Sequence, residues 1–424
     1  MMFETWWLLA LPLVFGLGWM AARFDLRQLL SEQGALPRSY FKGLNFLLNE
    51  QPDKAIDAFI EVARLDPETT ELHFALGALF RRRGETERAI RVHQNLATRP
   101  DLPEPEREHA LYELGQDFLR AGLLDRAEES LRRLMSGPYA ASAKRVLLEL
   151  YEVEKEWQKA IDAARELQTL EQKDYRVQIA QFCCELAQDA LQRKKPDAAI
   201  EWLNQAVQEN PANVRAPMLL GDVALAAGDA RGALSHWLGI EKQDASFLPL
   251  VADRVVKAYA TLGEQGQALA WLRELLKGNL AAELLDTAYR TELELNGPVA
   301  AATLMREQLR RQPTLLALTK YFEAQAAQAS AAAPAAVTEG AAASEDAGTS
   351  ADVEGEDTRG KDTLGKDTQA QETAAIRDLL QARTRNLARY TCRECGFRAR
   401  LFYWQCPGCN RWETYAPRRT EALG

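Results

Sequence analysis

The sequence predicts an all-α chain: an array of helical hairpins, preceded by one transmembrane helix and followed by a small four-cysteine module. Three observations predict it. A small Ala recurs every 33 to 39 residues, a charge-free run extends from Trp6 to Ala22, and two CxxC pairs stand near the C-terminus. A chain of 424 residues exceeds one ordinary core, so several domains or a repeat array is expected. Leu and Ala dominate, Glu, Gln and Arg fill much of the remainder, and runs of strand-forming Val, Ile and Thr are scarce, which is a helical balance. The net charge of -9 excludes a general nucleic-acid binder, because counterion release needs a basic face.

The segment WWLLALPLVFGLGWMAA, residues 6–22, is the membrane anchor of a domain spanning 1–23. At a helical rise of 1.5 Å its length is roughly 26 Å, near the lower limit for crossing hydrocarbon. Trp6, Trp7 and Trp19 fall at its ends, where indoles prefer the headgroup layers. A cleavable signal peptide needs a basic leader, and only Met1, Met2, Phe3 and the acidic Glu4 are on offer. The first cations, Arg23, Arg27, Arg38 and Lys42, follow the segment, which places the body on the cytoplasmic side of the inner membrane.

The repeated alanines are Ala55, Ala89, Ala127, Ala160, Ala199, Ala233, Ala268 and Ala301, spaced by 34, 38, 33, 39, 34, 35 and 33 residues. Twelve positions before four of them stands a Gly, at Gly43, Gly77, Gly115 and Gly221, where two helices of one unit can approach closely. A further Gly at Gly84, Gly122 and Gly228 marks the turn inside the hairpin, and Pro67, Pro100, Pro211 and Pro313 end second helices. Phe59, Phe80, Phe118, Leu131, Tyr151, Leu203, Trp237 and Leu272 fill the helix faces as core.

The pattern resembles the tetratricopeptide repeat family over residues 36–322, in about eight units of which the fourth, fifth and last are degenerate. Such units stack into a superhelix whose concave face, lined by first helices, commonly receives a partner segment. Two longer spacings, around Pro103 and Pro105 and from Glu171 to Arg176, mark extended turns between units. Cys183 and Cys184 fall in a first helix and read as buried small packing. His73, His93, His109 and His236 are scattered over separate units without triad or ligand spacing, and read as ordinary helix residues.

Residues 323–371 are rich in Ala, Gly, Ser, Asp and Glu and poor in apolar bulk, the composition of a disordered acidic linker. Its first alanines can continue the preceding helix. A connecting helix is expected over 372–389, leading into a module at 390–416.

The module holds Cys392, Cys395, Cys406 and Cys409, with ten residues between the pairs. Two residues between thiolates let one tight turn aim both sulfurs at one ion, and two such knuckles give four thiolates with no open position, as in structural zinc sites. The residue after each second Cys needs a positive φ, which Gly396 adopts freely and Asn410 tolerates. Phe397, Leu401, Phe402, Tyr403, Trp404 and Trp412 are expected to form most of the module's core, some of them facing the repeats instead. The knuckles look like those of rubredoxin, but the shorter loop between them favours zinc, with iron possible in the same site. The surrounding arginines offset the doubly negative thiolate site, so no nucleic-acid partner is expected.

The order of parts, with YxCxxCGFxA and WxCPxCxxW at the end, resembles the lipopolysaccharide assembly protein B family over nearly the whole chain. That resemblance implies an uncleaved anchor, a cytoplasmic body, and a rubredoxin-like module docked on the repeats with the four cysteines as metal ligands. It also implies a regulatory, non-enzymatic role: promoting turnover of the LpxC deacetylase by the membrane-anchored AAA+ protease FtsH, under restraint from a lipopolysaccharide-sensing membrane protein. The alternatives are a general scaffold for envelope-synthesis enzymes and a rubredoxin-like electron carrier.

Overall fold

A computed structural model describes residues 38–49, 51–65, 69–278, 281–332, 371–383 and 390–415, together with Phe15, Gly16 and Trp19. Apart from those last three, the Trp6 to Ala22 run lies outside the described residues. Among the described residues no helix is long and apolar enough to cross a membrane. Most of the 323–371 linker also lies outside them.

The chain divides into two compact units, Met1–Lys173 and Asp174–Gly424. The division falls inside the second of the two long spacings, where Gln172 takes a left-handed φ of 53° and ends a helix. The first unit holds four hairpins: α1 (Arg38–Leu48) with α2 (Pro52–Leu65), α3 (Thr70–Arg83) with α4 (Thr86–Thr98), α5 (Glu104–Arg120) with α6 (Leu124–Arg132), and α7 (Ala140–Glu154) with α8 (Trp157–Glu171). The second holds α9 (Arg176–Gln192), α10 (Pro196–Glu209), α11 (Arg215–Ala226), α12 (Ala230–Gly239), α13 (Leu248–Thr261) and α14 (Gln265–Leu275). It continues with α15 (Ala281–Arg311), broken at Gly297 ahead of Pro298, then α16 (Leu315–Ala332), a helix over 371–383 and the metal module.

The helix α16 runs ten residues past Phe322. Its alanines cost no side-chain entropy in a helix, and Ala324 is fully buried. The 371–383 helix touches it through Gln381, whose Nε2 donates to Glu323 Oε1 at 3.0 Å.

All eight repeat alanines are completely buried. The predicted close approaches also occur, and each has a definite partner. A Cβ on Gly43, Gly77, Gly115 or Gly221 would run into Phe59, His93, Leu131 or Trp237, in that order. Every one of those partners lies four residues after its unit's Ala, so Gly on the first helix makes room for bulk on the second. In the fourth hairpin the volumes are exchanged: Leu148 and Ala164 occupy the two positions, and both are buried.

The hairpin turns follow one rule as well. Five residues before the Ala, six successive turns carry a positive φ, at Gly84, Gly122, Lys155, Lys194, Gly228 and Gly263. Sequence reading found the first, second and fifth. The two lysines stand where a side chain is strained, and the backbone N–H of Lys155 still closes its helix by donating to the Glu152 carbonyl.

One polar network is buried in the first unit. His93 Nδ1 and Asp117 Oδ2 are 2.5 Å apart, and neither side chain is exposed to solvent. Arg81 donates to the other Asp117 oxygen at 2.8 Å and to Glu113 at 2.6 Å, and His109 approaches Glu113 at 3.7 Å. The two histidines read from sequence as separate and ordinary. The available signal was register: His93 occupies the position that is Phe59, Leu131 or Trp237 in sister units. Its Nε2 is buried without a partner and faces the Gly77 backbone, so the His93–Asp117 pair is structural and leaves no room for a substrate.

Candidate metal centre

The module folds around its two knuckles, with almost no regular structure beyond them. Strands β1 (Tyr390–Thr391) and β2 (Arg398–Ala399) pair antiparallel, with Tyr390 opposite Ala399. Both knuckles use the same bonds. Cys392 N donates to the Phe397 carbonyl and Cys406 N to that of Arg411, each at 2.9 Å. Gly396 N then donates back to the Cys392 carbonyl and Asn410 N back to that of Cys406. Closing that loop requires the left-handed backbone predicted at these two positions, and φ is 74° at Gly396 and 56° at Asn410.

The four sulfurs all lie within 4.8 Å of one another. Cys392 and Cys409 are 3.8 Å apart, Cys395 and Cys406 3.7 Å. A tetrahedron with metal–sulfur bonds of about 2.3 Å has edges of about 3.8 Å, so these pairs are already at the separation that one ion requires. Zinc and iron thiolates share that size, and the geometry selects a closed four-sulfur site without choosing between them.

The site's electrostatics ask for a cation. Burial alone raises the Cys392 thiol, but hydrogen bonds from the Thr414 side chain and the Cys395 and Glu394 backbone bring it down to about 6. Cys406 is likewise lowered against its burial by the Cys409 and Gly408 backbone. Cys409 gains a backbone hydrogen bond from Arg411, yet burial and the neighbouring sulfurs push it up to about 12. Four thiolates in so small a volume repel one another, and a central dication removes the conflict.

The module's interior differs from the expected one. Its core consists of Cys392, Ala399, Cys406 and Tyr415, with Tyr390, Phe402 and Cys409 packed against it. Of the six aromatic and Leu residues expected there, only Phe402 belongs. Phe397, Leu401 and Tyr403 are exposed. The sulfurs themselves occupy the centre, which leaves space for few rings; Tyr415, whose hydroxyl lies 3.8 Å from Cys406 Sγ, was missed because it stands beyond the last Cys.

Trp404 and Trp412 instead face the second unit's repeats. Trp404 stacks on Phe247, with centroids 5.7 Å apart and planes 4° from parallel, while Phe402 meets the same ring edge-on at 6.0 Å. Trp412 meets Phe182 edge-on at 5.8 Å, and Gln181 Nε2 donates to Glu413 Oε1 at 2.6 Å. Beneath them lies Arg215, buried, donating to Gln181 at 3.0 Å and to Glu185 and Gln188 at 2.7 Å, with its guanidinium 5.7 Å from the Trp404 ring. Burial raises the Glu413 carboxyl above its usual range, despite the Gln181 hydrogen bond and the Arg215 charge. Docking thus uses the first helices α9 and α11 and the turn before α13.

Comparison with known proteins agrees with both halves of this architecture. Residues 390–417 match the family described as Rubredoxin metal binding domain, and 42–101, 112–175 and 190–252 match tetratricopeptide repeat families. Lipopolysaccharide assembly protein B of Escherichia coli (strain K12) is 32% identical over 414 residues, 97% of each chain. The chain belongs to the lipopolysaccharide assembly protein B family. A Haemophilus influenzae protein of that name is 27% identical over 424 residues, covering 96% of this chain and 97% of its own. A solved MamA structure is 23% identical across 43% of this chain and 94% of that one, with a TM-score of 0.30, too distant to argue from.

Within this family member the four cysteines form a metal-binding site, held by a rubredoxin-type domain seated on tetratricopeptide repeats. Cys183 and Cys184 are fully buried, and burial pushes the Cys184 thiol up to about 12, which leaves it an inert packing residue.

Proposed function

We propose that this protein is a non-enzymatic adaptor in lipopolysaccharide assembly, held at the cytoplasmic face of the inner membrane by residues 6–22. The end-to-end match to lipopolysaccharide assembly protein B carries the reading. In it, the repeats and the metal module present the LpxC deacetylase to the FtsH protease, and a lipopolysaccharide-sensing membrane protein restrains the delivery. The architecture supports an adaptor, because its interior is spent on packing and its metal is enclosed by four sulfurs with no position for a substrate. Anchoring raises the effective concentration of any partner in the same bilayer. Zinc is the ion we assign, on the short loop between the two knuckles; metal analysis of natively purified protein tests that assignment against iron. The function is tested by depleting the protein in its own cell and following the deacetylase by pulse-chase. Longer deacetylase lifetime is expected. An unchanged lifetime, with synthetic enzymes but no protease recovered on the protein, would replace delivery by a general scaffold.

A further inference from the structure

In the first unit a cleft of about 850 Å³ opens at the C-terminal ends of α3 and α5. Four arginines line it, Arg81, Arg82, Arg83 and Arg120, with Thr86 as the other polar side chain, and none of the lining residues carries a carboxylate. Two of these charges are answered from outside the lining. Arg81 is held by Glu113 at 2.6 Å and Asp117 at 2.8 Å, and Arg83 by Asp53 at 2.6 Å and Glu85 at 3.0 Å. Arg82 and Arg120 are exposed and have no acidic partner among the described residues. Arginines at helix C-termini ordinarily offset the macrodipole, but that takes about half a charge per helix, so the unpaired Arg82 and Arg120 more than meet the demand of the two helix ends.

We propose that this cleft is a binding site for a phosphate ester. Two guanidinium groups without counterions match a phosphate dianion, and their planar forks bind its oxygens in pairs. The volume lies within the range of about 300–1,000 Å³ typical of small-molecule sites, so the ligand is larger than a bare ion. Pairing with Glu113 and Asp117 fixes Arg81 in advance, which reduces the ordering cost on binding.

The full chain in neutral detergent, titrated calorimetrically with glycerol 3-phosphate and separately with dihexanoyl phosphatidic acid, tests the site. Saturation by at least one is expected, with the Arg82→Gln, Arg120→Gln pair weakening it about ten-fold or more and Arg132→Gln leaving it unchanged. Glycerol 3-phosphate alone saturating assigns a soluble ester, and phosphatidic acid alone a lipid headgroup. On the unmodified chain, the saturating probe slows amide exchange over 81–86 and 119–122. Saturation by neither probe, equal affinity in the double variant, protection confined to other segments, or saturation by triglutamate in place of both phosphates overturns the proposal.

Discussion

Replacing Phe247 with Ala removes the repeat-side ring on which two module aromatics rest, while leaving all four cysteines untouched. The stacked contact with Trp404 and the edge contact with Phe402 contribute about 0.5–1.5 kcal/mol each beyond area burial. The half-buried ring adds about 1–2 kcal/mol of apolar burial. Together these give about 2–5 kcal/mol, or a docking constant weakened by about thirty-fold to several-thousand-fold at roughly 1.4 kcal/mol per decade. The module remains covalently attached, so the loss shows as opening and closing, not release. Hydrogen exchange read by mass spectrometry should accelerate in α9, in the start of α11 and over 402–413. Metal content should stay at that of the parent protein. Unchanged exchange at full metal occupancy would refute the claim that these ring contacts hold the module down, and would shift the burden to Gln181, Glu413 and Arg215.

Cys392→Ser removes the thiolate that the fold's hydrogen bonds favour most; metal retention should fall to near zero by mass spectrometry, and the module should become protease-sensitive. Lys155→Gly relieves a left-handed residue, at about 1–2 kcal/mol for the strain less about 0.5–1 kcal/mol for glycine's extra unfolded-state freedom; slower amide exchange across α7 and α8 is the expected sign of the difference. Glu113 is raised by burial but held down to about 2, against 4.5 unperturbed, by His109 and Arg81. Its contribution, on the order of 2 kcal/mol, is therefore full above about pH 4.5 and lost as pH falls through about 2. Glu113→Gln should flatten that limb of an acid-unfolding curve.

Much of the fold was legible because close packing between helices leaves a one-letter trace. An Ala that must be fully buried, a Gly that must face Phe59 or Trp237, and a Gly that must take positive φ are each nearly irreplaceable, and they recur at fixed offsets. Where the constraint can be met in two ways, the trace fades. Leu148 with Ala164 satisfies the same volume as Gly with bulk, and Lys155 and Lys194 accept strain that Gly would avoid. The fourth and fifth units read as degenerate for that reason, although their hairpins pack like the others. The metal centre was legible for a related reason, since four sulfurs about one ion fix both spacing and the φ of Gly396 and Asn410.

What sequence could not apportion was which aromatic served which neighbour. Trp404, Trp412, Phe397 and Tyr403 all suit a small metal-stapled core by composition, yet two bridge to the repeats and two face solvent. Composition determines how much apolar surface a module carries; only the partner's shape determines where it goes. Here the partner supplies Phe182, Arg215 and Phe247 from positions more than 140 residues upstream, and no local period links them to the cysteines. Arg215 shows the consequence most directly. Its guanidinium is answered by Glu185, Gln181 and Gln188 of the preceding hairpin, and then covered by Trp404. A charge so enclosed is costly to leave half-satisfied, so the repeat face it sits on is built to be covered, and the metal module is what covers it.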